Sequence, residues 1–446
     1  MHRSLAILGA IMLAFGALVG GASAGSPSPA GGAAAGPAAK AAHPGWTGEQ
    51  LFGTKKDDDW EPAVAADPAA PYVYVLTTRY GGKKACSDCP DPALILAVSS
   101  DGGTTFGPDR FLCACTGIGG QNDPQIEVAR DGSVYAAWLN DYDPGVVFSR
   151  STDHGRTWSA PVTLKTPAID FGDKPALAIS PTGRDVYVAW NASDSYVSVS
   201  HDFGATFAAP VKTNADTRYW FAYGGAVAPD GTVTFSETTY TQDSTGPVRI
   251  EAIRSTDGGK HWHETLVDTV AEQPPCVSAG CPIEFYGPSA LLAMDATGRL
   301  VVMYQGASVT AGPQRVYVRR STDGGKTWSG RTDIDGGPTG TNAAFGGAAG
   351  TGHGDIRLWY QDDRNGPAGW DTWFRRSTDG GVTWSTEARL SDRPNGAPYK
   401  SAAGFGQPYG DYGEIAITNT GRSIAVWGEG TSYDGPGGTW YDLSTR

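Results

Sequence analysis

The sequence has little positive charge and no apolar segment long enough to cross a membrane. Lysine and arginine number 34 against 47 aspartate and glutamate residues, so the formal net charge of the 446-residue chain is −13. An acidic protein repels nucleic acid phosphates and anionic lipid surfaces, and neither is expected as a partner. The main apolar run, from Leu5 to Val19, is shorter than the roughly 20 residues that a membrane-spanning helix needs.

That apolar run belongs to a segment with the pattern of a secretory signal. Arg3 precedes the run, and Ala22-Ser23-Ala24 supplies the small residues expected at a cleavage site. Residues 25–45 are rich in Ala, Gly, Pro and Ser without periodicity, which is typical of a flexible linker. We therefore expect a signal peptide at 1–24, a linker at 25–45 and one folded domain at 46–446, in a secreted and extracellular protein.

The six cysteines fit an oxidising compartment. Four of them are close enough in sequence to suggest a zinc site, but secretion favours two cross-linking disulfides whose pairing the sequence leaves open; these are Cys86, Cys89, Cys113 and Cys115. Cys276 and Cys281 are expected to close a short loop.

Six copies of the pattern Ser-x-Asp-x-Gly-x-Thr-(Trp/Phe) recur at intervals of 49 to 66 residues, with His261 in the Thr position of one copy. A period of this size is typical of blades or other structural repeats. The pattern predicts a tight turn in which Asp accepts backbone hydrogen bonds, Gly supplies an unusual backbone angle and the aromatic ring packs between sheets. The copies are Ser99–Phe106, Ser151–Trp158, Ser200–Phe207, Ser255–Trp262, Ser321–Trp328 and Ser377–Trp384.

This repeat resembles the Asp box, or bacterial neuraminidase repeat, of sialidases and other β-propellers, and the resemblance extends from about Trp60 to Arg446. It implies an all-β fold: a single β-propeller of four-stranded blades with the Asp boxes at the turns between strands three and four. Between the boxes lie seven copies of a strand–Gly turn–strand unit, such as Ile126–Trp138. Seven blades are therefore favoured over the six usual in sialidases, with Gln50 to Lys55 supplying the outer strand of the last blade.

The connectivity places the boxes and the Gly turns on one face and the remaining loops on the other, where propellers usually bind ligands. The chain has seven histidines, and none is expected on that second face: they are His2, His43, His154, His201, His261, His263 and His353. A Ser-His-Asp triad or a His-ligated metal is therefore excluded. Acid–base chemistry would fall to carboxylates and tyrosines. No cofactor is required, and Ca²⁺ is the cation that these carboxylates would suit.

Glu237 is the first catalytic candidate, because aligning the turns puts it where Trp138 and Trp190 stand in other blades. A carboxylate in place of a packing aromatic costs stability unless it has a task. The alternative is that the strand ends early and Glu237 is solvated.

The resemblance implies further site residues. Sialidases hold the substrate carboxylate with three arginines, which match it in paired hydrogen bonds, and the candidates here are Arg79, Arg218 and Arg364. A tyrosine nucleophile, assisted by Glu and by an Asp acid, would be Tyr409 or else Tyr223, with Asp59 or Asp123 as the acid. Among the aromatics of this face, Trp220 is a candidate for stacking on sugars.

Two functions follow from these observations. The first is a sialidase-like glycoside hydrolase acting on terminal sialic acid or a related acidic sugar. The second is a non-catalytic propeller that binds glycans or proteins, favoured by the acidic surface and by the absence of the Arg-Ile-Pro signature of sialidases. Closure of the ring within one chain makes a monomer the expected state.

Overall fold

The computed structural model describes residues 43–113, 115–141, 145–166, 171–241, 246–272, 288–310, 312–366, 369–393, 413–430 and 437–446. The segment expected to be a signal peptide, most of the expected linker, Cys276, Cys281 and Tyr409 lie outside these ranges. Within them the chain forms strands and no helix. No described helix is therefore available to span a membrane.

The strands are short and follow one another through tight turns. In chain order they are β1 (Gln50–Leu51), β2 (Asp58–Ala66), β3 (Val73–Tyr80), β4 (Ala93–Ser99), β5 (Arg110–Phe111), β6 (Gln121–Val128), β7 (Val134–Asn140), β8 (Gly145–Ser151), β9 (Val162–Leu164), β10 (Asp173–Ile179), β11 (Val186–Ala192), β12 (Asp194–Ser200), β13 (Val211–Lys212), β14 (Tyr219–Val227), β15 (Val233–Tyr240), β16 (Val248–Ser255), β17 (His263–Val270), β18 (Leu291–Met294), β19 (Leu300–Gly306), β20 (Arg315–Ser321), β21 (Thr332–Asp333), β22 (Ala343–Thr351), β23 (Asp355–Asp362), β24 (Asp371–Ser377), β25 (Ala388–Arg389), β26 (Glu414–Ile417), β27 (Ser423–Gly430) and β28 (Gly437–Leu443).

These strands form seven antiparallel sheets of four strands each. Six sheets take four consecutive strands, from β2–β5 in blade 1 to β22–β25 in blade 6, and the seventh has the order β1-β28-β27-β26. The first strands of neighbouring blades contact one another around a central channel. The all-β propeller with seven blades, favoured from the sequence over six, is confirmed.

Blade 7 combines strands from the two ends of the described chain. β1 is its outer strand and pairs with β28 through Gln50 opposite Tyr441 and Leu51 opposite Trp440. Phe52 then packs on the Tyr441 ring, with 4.3 Å between ring centroids. The strand thus occupies the position that the sequence assigned to the segment from Gln50 to Lys55, and it removes a sheet edge that would otherwise be exposed.

The core lies between the blades, where large side chains of each second strand fill the gap to the next sheet. The register position that carries Trp138 and Trp190 is taken by Tyr304, Tyr360 and Trp427 in other blades, and all five side chains are at most 1% exposed. The alignment on the Gly turns is therefore correct. In blade 4 this buried position holds Glu237.

The six Asp boxes share one hydrogen-bonding pattern, seen clearly in the second. Ser151 Oγ donates to Asp153 Oδ1 over 2.9 Å and accepts from the Gly155 amide over 2.9 Å, while Asp153 also accepts from the amide and hydroxyl of Thr157. These donors lower the pKa of Asp153 to about 2. In the fourth box His261 replaces Thr, and its Nδ1 lies 2.6 Å from Asp257 Oδ2. The boxes are turns that fix the strand connections, as their sequence predicted.

Glycines of the boxes should differ in their tolerance of alanine. Gly204 has φ +80° and a Cβ there would overlap the Phe148 ring of blade 2, whereas Gly102, with φ +71°, has open space around it. We expect Gly204→Ala to lower the free energy of unfolding by about 2–4 kcal/mol, from the left-handed backbone and the overlap together. Gly102→Ala, which meets only the backbone cost, should lose about 1 kcal/mol. Equilibrium urea unfolding measures both, and equal losses would contradict the packing role of Gly204.

The described cysteines form two local disulfides, Cys86–Cys89 and Cys113–Cys115. Their Cα atoms lie 5.0 and 5.2 Å apart, within the range that a disulfide requires. The four cysteines expected to form two disulfides do so, and the pairing that the sequence left open is Cys86 with Cys89 and Cys113 with Cys115. Each bridge closes a short loop between cysteines two or three residues apart.

Candidate functional site

The innermost strands carry an extra residue at the same level in five blades. The register of each first strand against its second strand slips by one, producing a β-bulge near the start of the strand, on the face opposite the Asp boxes. Bulges of this kind re-aim side chains and are frequent next to active sites. We call the bulged residues the bulge ring: they are Glu61, Asp123, Lys174, Tyr223 and Phe345.

Four members of the bulge ring have a strained backbone. Their φ angles are 56° at Glu61, 50° at Asp123, 47° at Lys174 and 57° at Phe345. The left-handed region is uncommon for residues other than glycine, and such strain concentrates at functional sites. In three blades the next residue is proline, which lacks the amide that the broken ladder would leave unpaired. The level of the bulge ring is therefore the best candidate for a functional site.

Beside the bulge ring the channel contains a cavity of about 30 Å³. Its walls come from five blades and include Gln125, Lys174, Tyr223 and Glu414. A cavity of this size holds water but no sugar ring. A ligand larger than water must therefore bind outside this cavity, at the channel mouth.

Two carboxyl groups of the channel hold their protons unusually well. Glu414 Oε2 accepts a hydrogen bond from the Val64 amide of blade 1 over 2.7 Å. Burial, aided by the nearby Glu127, raises the pKa of Glu414 well above its ordinary value despite that bond. Burial likewise raises the pKa of Glu127 to about 7. Glu414 lines the same cavity as Tyr223 and Lys174, and its raised pKa favours the protonated, neutral form of its carboxyl group.

Asp123 and Tyr223, two of the residues singled out from the sequence, are members of the bulge ring. The Asp123 amide contacts Glu61 Oε2 at 3.3 Å, which joins blades 1 and 2 at the mouth. Asp59 lies two residues before Glu61 and is fully buried. Its pKa is raised to about 6 by burial, although Arg79 contacts both of its oxygens.

The three candidate arginines are each held within their own blade. Arg79 pairs with Asp59 at 2.6 Å and with Asp109 at 2.7 Å. Arg218 donates to Thr239 Oγ1 over 2.7 Å and to two backbone carbonyls. Arg364 pairs with Asp362 and Glu387, and its guanidinium lies 3.6 Å from the centroid of the Trp373 ring. No two of them share a partner within the described ranges.

Glu237 and Trp220 are both inside the protein. Glu237 is fully buried between blades 3 and 4, where Ser195 Oγ donates to its Oε1 over 2.8 Å. Burial raises the pKa of Glu237 to about 8. Trp220 is also fully buried and donates from Nε1 to Asp216 Oδ1 over 2.7 Å. Neither is among the residues that line the channel cavity, and Tyr409 lies outside the described residues.

The sequence did not indicate to us that Lys174, Glu61 and Phe345 lie at one level of the channel. A signal was present, because Glu61, Asp123 and Lys174 each precede a proline at the start of an inner strand. Among the described residues, no group of three or more His, Cys, Asp or Glu side chains could hold a metal ion.

Comparison with known proteins bears on the repeat and on the fold. A family profile described as BNR/Asp-box repeat matches residues 319–329, which contain the fifth box. The chain is an Asp-box β-propeller. This confirms the resemblance stated from the sequence, at the level of repeat and fold. Comparison with curated protein sequences gave no significant match.

Solved structures similar to this propeller have low sequence identity. A protein of unknown function from Dyadobacter fermentans superposes with a TM-score of 0.51 and 15% identity, covering 90% of this chain and 100% of its own. An ulvan lyase bound to -[GlcA(1-4)Rha3S]- gives 0.51 and 14%, covering 87% and 95%. A "Hadza microbial sialidase" gives 0.48 and 14%, covering 79% and 73%. At such identities the likeness concerns the fold alone.

Proposed function

We propose that this Asp-box propeller is secreted and acts on an extracellular glycan at the mouth of its central channel. The observation that carries the proposal is the bulge ring, in which successive blades present strained, mostly polar residues at one level beside a water-sized cavity. Tyr223 and Lys174 offer a phenol and an ammonium group from neighbouring blades. The signal-like N-terminus and the disulfides support secretion.

The specific reaction proposed is hydrolysis of a terminal sialic acid or related acidic sugar. Tyr223 would attack the anomeric carbon and lose its phenol proton to a carboxylate base, while the glycosidic C–O bond breaks and Asp123 or Asp59 protonates the departing oxygen. Water would then cleave the bond between tyrosine and the sugar. On sequence grounds Glu237 is the base, and Tyr409 stays an alternative nucleophile. An ulvan lyase with the same fold supports including an acidic polysaccharide, and its cleavage by elimination, among the substrates tested.

A second candidate is glycan binding without turnover. The observation that favours it is the state of Arg79, Arg218 and Arg364, whose guanidinium groups are engaged by partners of their own blades. A carboxylate clamp would require those contacts to be exchanged for a ligand. On this reading the bulge ring is a recognition surface, and the strained residues fix its shape.

Tyr223→Phe tests the proposal because it removes one hydroxyl at the channel mouth. If Tyr223 is the nucleophile, release from a fluorogenic α-sialoside, or formation of unsaturated product from ulvan, should fall by about 10³-fold. The matched control is Tyr72→Phe, since the Tyr72 ring stacks on His154 at 3.9 Å on the box face. The control should keep full turnover.

A glycan array run on the same proteins separates the two candidates. Binding without turnover, weakened by Tyr223→Phe and Lys174→Met, would support the recognition role. The proposal would be overturned if the wild-type protein neither cleaved nor bound any glycan, or if both tyrosine variants lost function equally.

A further inference from the structure

The seventh Asp box is divided between the two ends of the described chain. In five of the six complete boxes the aromatic residue stands four positions before the outer strand, and Trp46 stands four positions before β1. In each complete box the serine pairs with a residue at the start of the second strand of the same blade. Ser423 holds that position in blade 7, and its carbonyl accepts a hydrogen bond from the Ser444 amide over 2.8 Å. Trp46 and Ser444 thus hold the aromatic and serine positions of a seventh box.

Within the described residues no continuous turn joins these two positions, and none of those residues covers the part of blade 6 on which such a turn would lie. In the sixth box Gly381 lies over Arg320 of blade 5, so closely that a Cβ would stand 3.1 Å from Arg320 Cδ. The equivalent residue of blade 6 is Arg376, since each arginine directly precedes a box serine. Arg376 has a side chain 44% exposed, and a pocket of about 440 Å³ lies over it.

This pocket is lined by guanidinium groups in an otherwise acidic protein. Arg357, Arg376 and Arg446 contribute to its walls, together with the aromatic residues Trp46 and Phe374. Arg357 and Arg376 share a single carboxylate, Asp355, at 2.7 and 2.8 Å. Arg422 lies behind the wall with its Nε bonded to the Ser444 carbonyl. Positive charge therefore exceeds negative charge around the pocket.

The lining fits an anion attached to a ring. Arg357 is held by Asp355, Ser423 and the Gly421 carbonyl, and Arg376 uses Nε and Nη2 for Asp355. Nη1 of Arg376 and the exposed Arg446 are the donors that an incoming carboxylate or sulfate would meet. The ring edges of Trp46 and Phe374, 4.8 Å apart at their centroids, provide an apolar wall for the carbon face of a sugar. The volume is within the about 300–1,000 Å³ of typical small-molecule sites.

We propose that the seam between blades 6 and 7 is a binding site for an acidic sugar, a monosaccharide unit bearing a carboxylate or sulfate group. The site lies on the box face, opposite the channel mouth, and does not depend on the function proposed for the mouth. It would anchor the propeller to an acidic polysaccharide while the mouth stays accessible. In the six complete boxes the Asp-Gly turn itself covers the neighbouring blade, whereas at the seventh position a ligand takes the place of that turn.

Isothermal titration of the full chain with D-glucuronate and D-glucose tests the site. Glucuronate should bind at least tenfold more tightly than glucose, and inorganic sulfate should compete with it. Arg376→Gln should weaken glucuronate binding at least tenfold. The matched control is Arg320→Gln, the same change one blade earlier, where the sixth box covers the arginine; it should leave binding unchanged.

A second variant tests the site independently in case Arg376→Gln fails to fold. Thr445 has an exposed side chain at the pocket and takes no part in the arginine pairs, so Thr445→Trp should fill the pocket and abolish binding while the circular dichroism spectrum is preserved. The proposal is overturned if glucuronate does not bind, if it binds no better than glucose, if Thr445→Trp binds it normally, or if Arg320→Gln loses as much affinity as Arg376→Gln.

Discussion

Trp46→Ala should lower the free energy of unfolding by about 3–5 kcal/mol, the usual cost of truncating a large buried aromatic residue. Trp46 is 5% exposed and packs edge-on against Phe374 of blade 6, with 4.8 Å between ring centroids. It also forms a β-bridge with Ser444, directly before the segment that supplies the outer strand of blade 7. The substitution therefore creates a cavity at the seam where the ring is closed.

Trp46→Ala should cost more stability than truncation of another box aromatic, because Trp46 also helps to close the ring of blades. β1 has two residues and depends on its flanks for attachment: the Thr47 amide and hydroxyl both donate to Asp442 Oδ1, over 3.1 and 2.9 Å. The Asp392 amide donates to Glu49 Oε2 over 2.9 Å. Loosening Trp46 weakens these contacts together, because they belong to one short segment. Release of β1 would expose the edge of β28.

Trp384→Ala is the matched control, since Trp384 holds the same box position in blade 6, within a continuous chain. Unfolding in urea, followed by circular dichroism, measures both variants. Trp384 is half-buried whereas Trp46 is 5% exposed, so the excess loss in Trp46→Ala reports the deeper burial of Trp46 together with the contribution of closure. A loss in Trp46→Ala no larger than that in Trp384→Ala would show that the seam is not a weak point of the ring.

The blade architecture could be predicted because local sequence patterns specify it. Each Asp box carries its own donors and acceptors within seven residues, so Asp153 and Thr157 meet whatever the rest of the chain does. Counting strand pairs against boxes then revealed the incomplete last blade. The pairing of the disulfides could not be read from the sequence, because four cysteines close in sequence allow several pairings, and only the folded loops show that Cys86 meets Cys89.

The candidate site depended on contacts between blades, which sequence patterns do not encode. The register of Glu237 could be read from the Gly turns, but its burial results from Ser195 on the neighbouring blade. Arg79 and Arg364 also bind carboxylates of their own blades that lie far away in sequence: Asp109 is 30 residues from Arg79, and Glu387 is 23 residues from Arg364. The prolines after Glu61, Asp123 and Lys174 mark three members of the bulge ring in the sequence, but Tyr223 and Phe345 carry no such mark and are placed by the strand register alone.

Glu237→Gln should stabilise the protein at alkaline pH and flatten the dependence of its stability on pH. Glu237 lies directly opposite Glu251 on β16, and both side chains are fully buried. Burial raises the pKa of Glu237 to about 8 and that of Glu251 to about 7. Arg249 Nη2, 2.6 Å from Glu251 Oε1, favours ionisation of Glu251 first. Asp216 and Glu264 lie at the outer side of this cluster and oppose ionisation of Glu251.

The direction of this pH effect follows from comparing proton binding in the folded and unfolded states. The unfolded chain releases the Glu237 proton near its ordinary pKa of 4.5, while the folded chain holds it up to about 8. Between these values the folded state binds more protons than the unfolded state, so the free energy of unfolding falls as pH rises. Above pH 8 the full cost of a buried charge is present, on the order of 5 kcal/mol. Glutamine keeps the acceptor for Ser195, can donate to Glu251 and never ionises.

We therefore expect Glu237→Gln to match the wild-type protein near pH 4 and to exceed its free energy of unfolding by on the order of 5 kcal/mol at pH 9. Glu272→Gln, a half-buried carboxylate after β17 of the same blade, is the control and should change stability little at either pH. Parallel stability curves for Glu237→Gln and the wild-type protein would contradict the buried-acid account. Turnover measured on the same variant separates structure from catalysis: a base is lost with glutamine, whereas a buried proton holder leaves kcat unchanged while stability rises.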